Sequence, residues 1–316
     1  MKTSLNVIPE CPIGDIVALA VHAEQLGFDR IWVYDEGLIT RDVFVVMSAI
    51  AAATEHIEIG PGITNPYTRH PGQTAAAIAS LDELSGGRAF LGIGAGGSLT
   101  LDPLGLERRK PLTAVRETID AARSLFRDPS SDRDGEFVTL RSASLPYGRP
   151  DIEIWLAGRG PKMLAMGGES ADGVMLDFIH KPSLGDYVGR VRAGGPARLC
   201  YSTAVVTDAD DLEFVRPHMT YRLVDSPHDV KAALGMTDAD ADRIRSAMSG
   251  GLDAAAEHVP DEWVEPFVIT GSAAECGAEI RRIAEAHDID EFLLPMFDMP
   301  DQHAYLARVA AALGLG

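Results

Sequence analysis

The sequence predicts an α/β protein, a (β/α)8 barrel carrying a helical insertion near its seventh unit. Three observations point there. Eight short apolar runs alternate with amphipathic stretches of helical period along 316 residues. The runs are nearly continuously apolar, as strands covered on both faces must be. The length suits one closed barrel. A doubly wound open sheet is the alternative α/β architecture, and two smaller domains would also fit the length. No flexible linker or internal repeat divides the chain, so residues 1–316 read as a single domain.

The elements follow in order. Ser4–Ile8 reads as the first strand. The next helix has Ile13, Ile16, Val17, Ala20 and Val21 on one stripe and Gly27 as its stop. Arg30–Tyr34 is the second strand, and a helix runs from Arg41 to Thr54. Ile57–Thr64 is the third, and its helix starts at His70-Pro71 and stops at a glycine pair. The fourth strand, from Arg88 to Gly94, is followed by a long loop and the helix from Lys110 to Asp128. Glu136–Pro150 forms a small excursion. Ile152–Gly158, Gly173–Ile179, Arg198–Val206 and Glu291–Phe297 complete the eight strands, and a helix from Asp301 closes the chain. Acidic helical segments between Thr207 and Pro266 (residues 207–266) interrupt the seventh unit.

Composition narrows the function. With 28 basic and 47 acidic residues the formal charge is −19. Such a surface repels nucleic acid and anionic lipid, so neither is an expected partner. No apolar stretch approaches the length of a membrane span, and the first residues have too short an apolar core for a signal peptide. The three cysteines are scattered, which fits a reducing cytoplasm and gives no disulfide framework. The nine histidines form no H-E-x-x-H or H-x-H pair, so no metal is expected.

Gly92, Gly94 and Gly97 satisfy G-x-G-x-x-G. A dinucleotide fingerprint needs a helix directly after these glycines to hold the pyrophosphate. Pro103 and Gly105 argue against one. The glycines read instead as a floor at the barrel's C-terminal mouth that lets a flat ring or a polyphosphate-like tail approach the backbone; tight packing at a strand end is the plainer reading. Asp35 and Glu36 end the second strand, where a barrel places reacting groups. The turn Ala157, Gly158, Arg159, Gly160, Pro161, Lys162 joins a strand to a helix start. Free backbone N–H groups and two cations make it the best anion site in an acidic chain. His70 faces the pocket or caps its helix, and Trp32 reads as core.

Thr64–Gly96, with its "TNPYTRHPGQTAAAIASLDELSGGRAFLGIGAG", resembles the signature of the luciferase-like monooxygenase superfamily. It is most similar to the branch that uses the deazaflavin coenzyme F420, which includes methylenetetrahydromethanopterin reductases. His22–Glu36 and Leu156–Leu176 resemble further segments of that family. The resemblance implies a TIM barrel, hydride transfer at C5 of the deazaflavin and a homodimer. It implies a cofactor contact at Asp35, a catalytic acid or base at Glu36 and a non-proline cis peptide at Gly62-Ile63. It also implies that Asn65 reaches the ring edge and that Ala95 and Gly96 meet the cofactor through their backbone. The chain departs from the pattern twice. Gly97 stands where several members carry an acid, and Asn6 where the pterin reductases have a glutamate.

The reading expected is therefore a coenzyme F420-dependent oxidoreductase acting on a small or medium organic substrate. The alternatives are an FMN-dependent monooxygenase of the same superfamily and a non-catalytic cofactor-binding protein. A barrel lyase or isomerase would need a Schiff-base lysine at a strand end, and no strand offers one clearly.

Overall fold

The computed structural model describes residues 1–297 and 299–315. Eight parallel strands form one sheet: β1 (Lys2–Val7), β2 (Arg30–Val33), β3 (Glu58–Pro61), β4 (Phe90–Ile93), β5 (Glu153–Ala157), β6 (Gly173–Asp177), β7 (Arg198–Ser202) and β8 (Glu291–Met296). The order β3-β2-β1-β8-β7-β6-β5-β4 is that of a barrel cut open between β3 and β4. Parallel bridges Ile59–Ala89 and Thr64–Ile93 close that gap. The eight-stranded barrel is thus present.

Side-chain alternation builds two cores. Ile31 and Val33 of β2, Leu91 and Ile93 of β4, and Ile154 and Leu156 of β5 face outward into the layer beneath the helices. Trp32, Phe90, Trp155, Met175, Cys200 and Leu293 fill the interior, so Trp32 is core. Below them lies a charged layer that the apolar reading of the strands did not anticipate. Arg30 is fully buried and pairs with Glu58, with Glu153 at 2.8 Å and with Glu291 at 3.0 Å. Trp32 Nε1 donates to Glu291 and Trp155 Nε1 to Glu153. Each buried charge is paired, which is what permits a polar barrel floor.

Three local differences from the sequence reading have physical causes. The run Arg198–Val206 divides: β7 ends at Ser202, and Val205–Val206 pairs instead with Ile269–Thr270 outside the barrel. The excursion after the fourth helix is an antiparallel hairpin of Ser131–Asp134 and Thr139–Ala143. A single helical turn, Ser98–Leu101, does follow the glycines at once, but Pro103 and Gly105 (φ 64°) hold it to one turn and a short 3-10 segment. His70 caps the helix Pro71–Ser85, its Nδ1 accepting from Gly72 N at 3.1 Å.

The segment 207–266 is helical, its longest element being Ala209–Val224. Val215, Met219, Leu223, Ile244 and Phe267 form a separate apolar cluster with Phe178 and Phe297. That cluster seats the segment over the mouth of the barrel beside β6.

Candidate active site

A cleft opens at the C-terminal ends of the strands. Tyr34, Asp35, Glu36, Gly62, Ile63, Asn65, Ala95, Gly96, Gly97, Ala157, Gly158 and Arg159 line it, together with Thr100, Met175 and Asp177. The barrel thus gathers most of the sequence-predicted site. Gly160 lines an adjoining cavity. Lys162 is exposed in the first turn of the helix Pro161–Ser170 and lines neither space.

Two carboxyls stand at one end. Burial pushes both Asp35 and Glu36 above their ordinary values. Thr64 Oγ1 donates to Asp35 at 2.6 Å, and Thr100 Oγ1 donates to Glu36 at 2.9 Å. Thr64 and the Gly37 backbone N–H hold Asp35, and Thr100 holds one oxygen of Glu36. Tyr34, beside them, is pushed well up by burial and by the nearby Asp177 carboxylate. This group stays protonated and can only lend a hydrogen bond.

The peptide Gly62-Ile63 is cis. Asn6 Nδ2 donates to the Gly62 carbonyl at 2.9 Å. A Cβ at position 62 would lie 2.6 Å from Trp32 Cβ and 2.7 Å from Asn6 Oδ1, so only glycine fits. Gly92 and Gly94 serve the same bulge. A Cβ on Gly94 would meet Ile63 Cδ1 at 2.0 Å, and one on Gly92 the Pro61 carbonyl at 2.1 Å. For these two glycines the plainer packing reading holds; only Ala95, Gly96 and Gly97 face the cleft. Beyond Gly97 the space is open, with nothing within 4 Å of where a Cβ would lie.

Asn65 is 3% exposed, and its Oδ1 accepts from the backbone of Tyr67 and Thr68. Among the described residues its Nδ2 donates to no protein group, which leaves that amide for a ligand edge. Across the cleft, no side chain caps the helix that begins at Pro161.

Sequence reasoning missed Thr64, Thr100, Tyr34, Met175 and Asp177. Thr64 and Thr100 lie 29 and 64 residues from the carboxyls they hold. Only barrel closure brings them together. The missed signal was positional: Thr64 falls just past a strand, where a barrel places its site.

A floor of small residues and main chain, two desolvated carboxyls at one end and an uncapped helix start at the other make a cleft at the mouth where barrel enzymes place their sites. The chain belongs to the luciferase-like monooxygenase family, whose model matches residues 4–288. It is 31% identical over 308 residues to a 5,10-methylenetetrahydromethanopterin reductase of Methanolobus tindarius, covering 90% of this chain and 91% of that protein. An F420-dependent glucose-6-phosphate dehydrogenase of Beutenbergia cavernae is 33% identical over 172 residues, about half of each chain. The solved coenzyme F420-dependent tetrahydromethanopterin reductase of Methanopyrus kandleri superposes with a TM-score of 0.88 at 26% identity, covering 98% of this chain and 97% of that one.

Proposed function

We propose that the chain is a coenzyme F420-dependent oxidoreductase that moves a hydride between the deazaflavin and a small or medium organic substrate. The observation that carries this is the cleft itself, a side-chain-poor slot whose open end holds two carboxyls with raised proton affinity. Two relatives of F420-dependent activity support the choice of cofactor. The residues present fit such a group: Gly62, Ile63, Ala95, Gly96, Ala157 and Gly158 offer backbone to a ring face, and Asn65 Nδ2 and Asp35 offer polar contacts to its edge. Arg159, Gly160 and Lys162, at the uncapped helix start, favour its phosphate.

When bound, the deazaflavin supplies a hydride donor or acceptor at C5. The chain supplies orientation and a proton. Glu36 is the acid–base group, because desolvation raises its carboxyl's proton affinity above the ordinary glutamate value and Thr100 aims it. Hydride delivery to a C=O or C=N bond leaves charge on the heteroatom, which such a donor quenches. Gly97 offers no second carboxyl. Asn6 holds the Gly62 carbonyl and carries no proton to give. These two departures separate the site from the pattern of the pterin reductases, and the substrate is proposed only at the level of class.

The assignment is tested by following deazaflavin absorbance with reduced cofactor and panels of carbonyls, imines and activated alkenes. Turnover of one class that is lost in Glu36→Gln supports it; a folded, cofactor-loaded chain inert to all three classes in both directions counts against it. A homodimer acting in the cytoplasm completes the proposal, on the family resemblance, and sedimentation and cell fractionation test those two points.

A further inference from the structure

The interior side chains of the barrel rise in steps of two. On β2 they are Arg30 in the floor and Trp32 in the aromatic layer, and the next in the alternation is Tyr34. The Tyr34 backbone N–H still donates to the Val7 carbonyl at 3.0 Å, so this residue keeps the alternation one place beyond β2. One step above Met175 and Cys200 stand Asp177 and Ser202, and one step above Trp155 stands Ala157. The mouth is therefore divided into two arcs. From β3 to β5 the cleft is lined by Gly62, Ile63, Ala95, Gly96 and Ala157, which bring no functional side chain. From β6 round to β2 the strand ends carry Asp177, Ser202, Asn6 and Tyr34.

On this polar arc the other donors are spent within the protein. Asn6 Nδ2 donates to the Gly62 carbonyl at 2.9 Å, and Ser202 Oγ donates to Asp177 at 2.8 Å. Arg222 Nη2 donates to the other Asp177 oxygen at 3.1 Å. The Thr64 and Thr100 hydroxyls are taken by Asp35 and Glu36. Tyr34 differs. It is half-buried in the cleft wall, and among the described residues its hydroxyl makes no hydrogen bond. Burial, and then the Asp177 carboxylate, hold the proton on the phenol. A polar group aimed into a cleft with no partner of its own is placed for a ligand atom.

We propose that Tyr34 is a second catalytic residue and that it selects a carbonyl substrate, its phenol O–H donating to the carbonyl oxygen beside Glu36. Hydride arriving at the carbonyl carbon sends the C=O π pair to oxygen. The Tyr34 hydrogen bond strengthens as that charge grows, and Glu36 transfers its proton to the oxygen. The products are an alcohol and a Glu36 carboxylate, with Tyr34 unchanged. An N-alkylated iminium carbon also accepts a hydride, but its nitrogen has no lone pair for a phenol, so Tyr34 favours the carbonyl over it. The proposal rests on the oxidoreductase reading for the source of the hydride; the hydrogen bond does not depend on it.

The test uses the full chain as wild type and Tyr34→Phe, with circular dichroism as the fold check. The first readout is the absorption of p-dimethylaminocinnamaldehyde, which moves to the red when its carbonyl oxygen accepts a hydrogen bond, titrated with and without oxidised F420. A saturable red shift in the wild type, lost or much reduced in folded Tyr34→Phe, is the expected result. The second readout is turnover of aldehydes and ketones with reduced F420. In Tyr34→Phe kcat is expected to fall roughly 10²-fold or more with KM little changed, because the bond is strongest once charge has developed. An N-alkyl iminium salt is expected to be the poorer substrate, at the same rate in both proteins. A Tyr34-dependent red shift in a chain that binds no F420 leaves the hydrogen-bond donor standing and removes the oxidoreductase reading. Four results overturn the proposal: no red shift in the wild type under either condition, an equal shift in folded Tyr34→Phe, carbonyl turnover indifferent to the variant, or an F420-loaded wild type that reduces no carbonyl.

Discussion

Glu36 keeps its proton to higher pH than a free glutamate because burial outweighs the hydrogen bond from Thr100. The linkage sign follows. Between the ordinary glutamate value and the raised one, the folded chain binds the proton that the unfolded chain has lost, so this group's contribution to stability falls as pH rises through that window. Glu36→Gln removes that loss and keeps an acceptor for Thr100. It is expected to melt slightly higher than the wild type at neutral pH, while turnover falls by roughly 10²–10⁴-fold for a substrate that needs a proton. The wild-type rate in the proton-donating direction declines as pH passes Glu36's raised value, and the variant's profile lacks that limb. Equal turnover in the variant would move the proton donor to solvent or another residue. Gly62→Ala is a packing test at the same scale. Its Cβ has no space beside Trp32 and Asn6, so urea unfolding is expected to show a loss of about 1–3 kcal/mol.

At the scale of elements, the turn Ala157–Lys162 and the helix it opens are the proposed anion site. The helix has no side-chain cap, and its first turn carries Lys162 beside Arg159. Arg159→Glu with Lys162→Glu is expected to weaken F420 binding roughly tenfold or more, with the fold retained. Unchanged affinity in the folded double variant would take the phosphate elsewhere. The strand, turn and helix start were readable because they are contiguous in sequence. The β3–β4 glycines were harder. Their spacing imitates a ligand loop, yet Gly92 and Gly94 make room for Pro61 and Ile63 of the neighbouring strand end. That requirement lies across the barrel, where local sequence carries no sign of it.

In the whole molecule, the barrel is a stack of interior layers: charged at the floor, aromatic in the middle, reactive at the mouth. The strands were legible because their outward residues are apolar; the floor was not, because Arg30 and Glu291 are 261 residues apart. Against the upward push of burial, Arg30, the Trp155 Nε1–H bond and Arg198 hold Glu153 down to about 2. A carboxylate of lowered folded value contributes stability above its unfolded value and loses it as pH falls. Acid unfolding is therefore expected to draw on this group between about 4.5 and about 2. Arg30→Met leaves the buried Glu291 without its cation, while Glu58 keeps Lys2 and Glu153 keeps Arg198, and is expected to cost about 3–5 kcal/mol in chemical denaturation. A loss within experimental error would show the floor to be solvated.

The central claim concerns the mouth: its slot is built for a deazaflavin with an acidic tail. Parallel equilibrium titrations of the purified chain with coenzyme F420 and with FMN test it most directly. Saturable one-to-one binding of F420, much tighter than FMN and weakened by Asp35→Asn, is the predicted result. Tight FMN binding with none of F420, or F420 binding indifferent to Asp35, would contradict it.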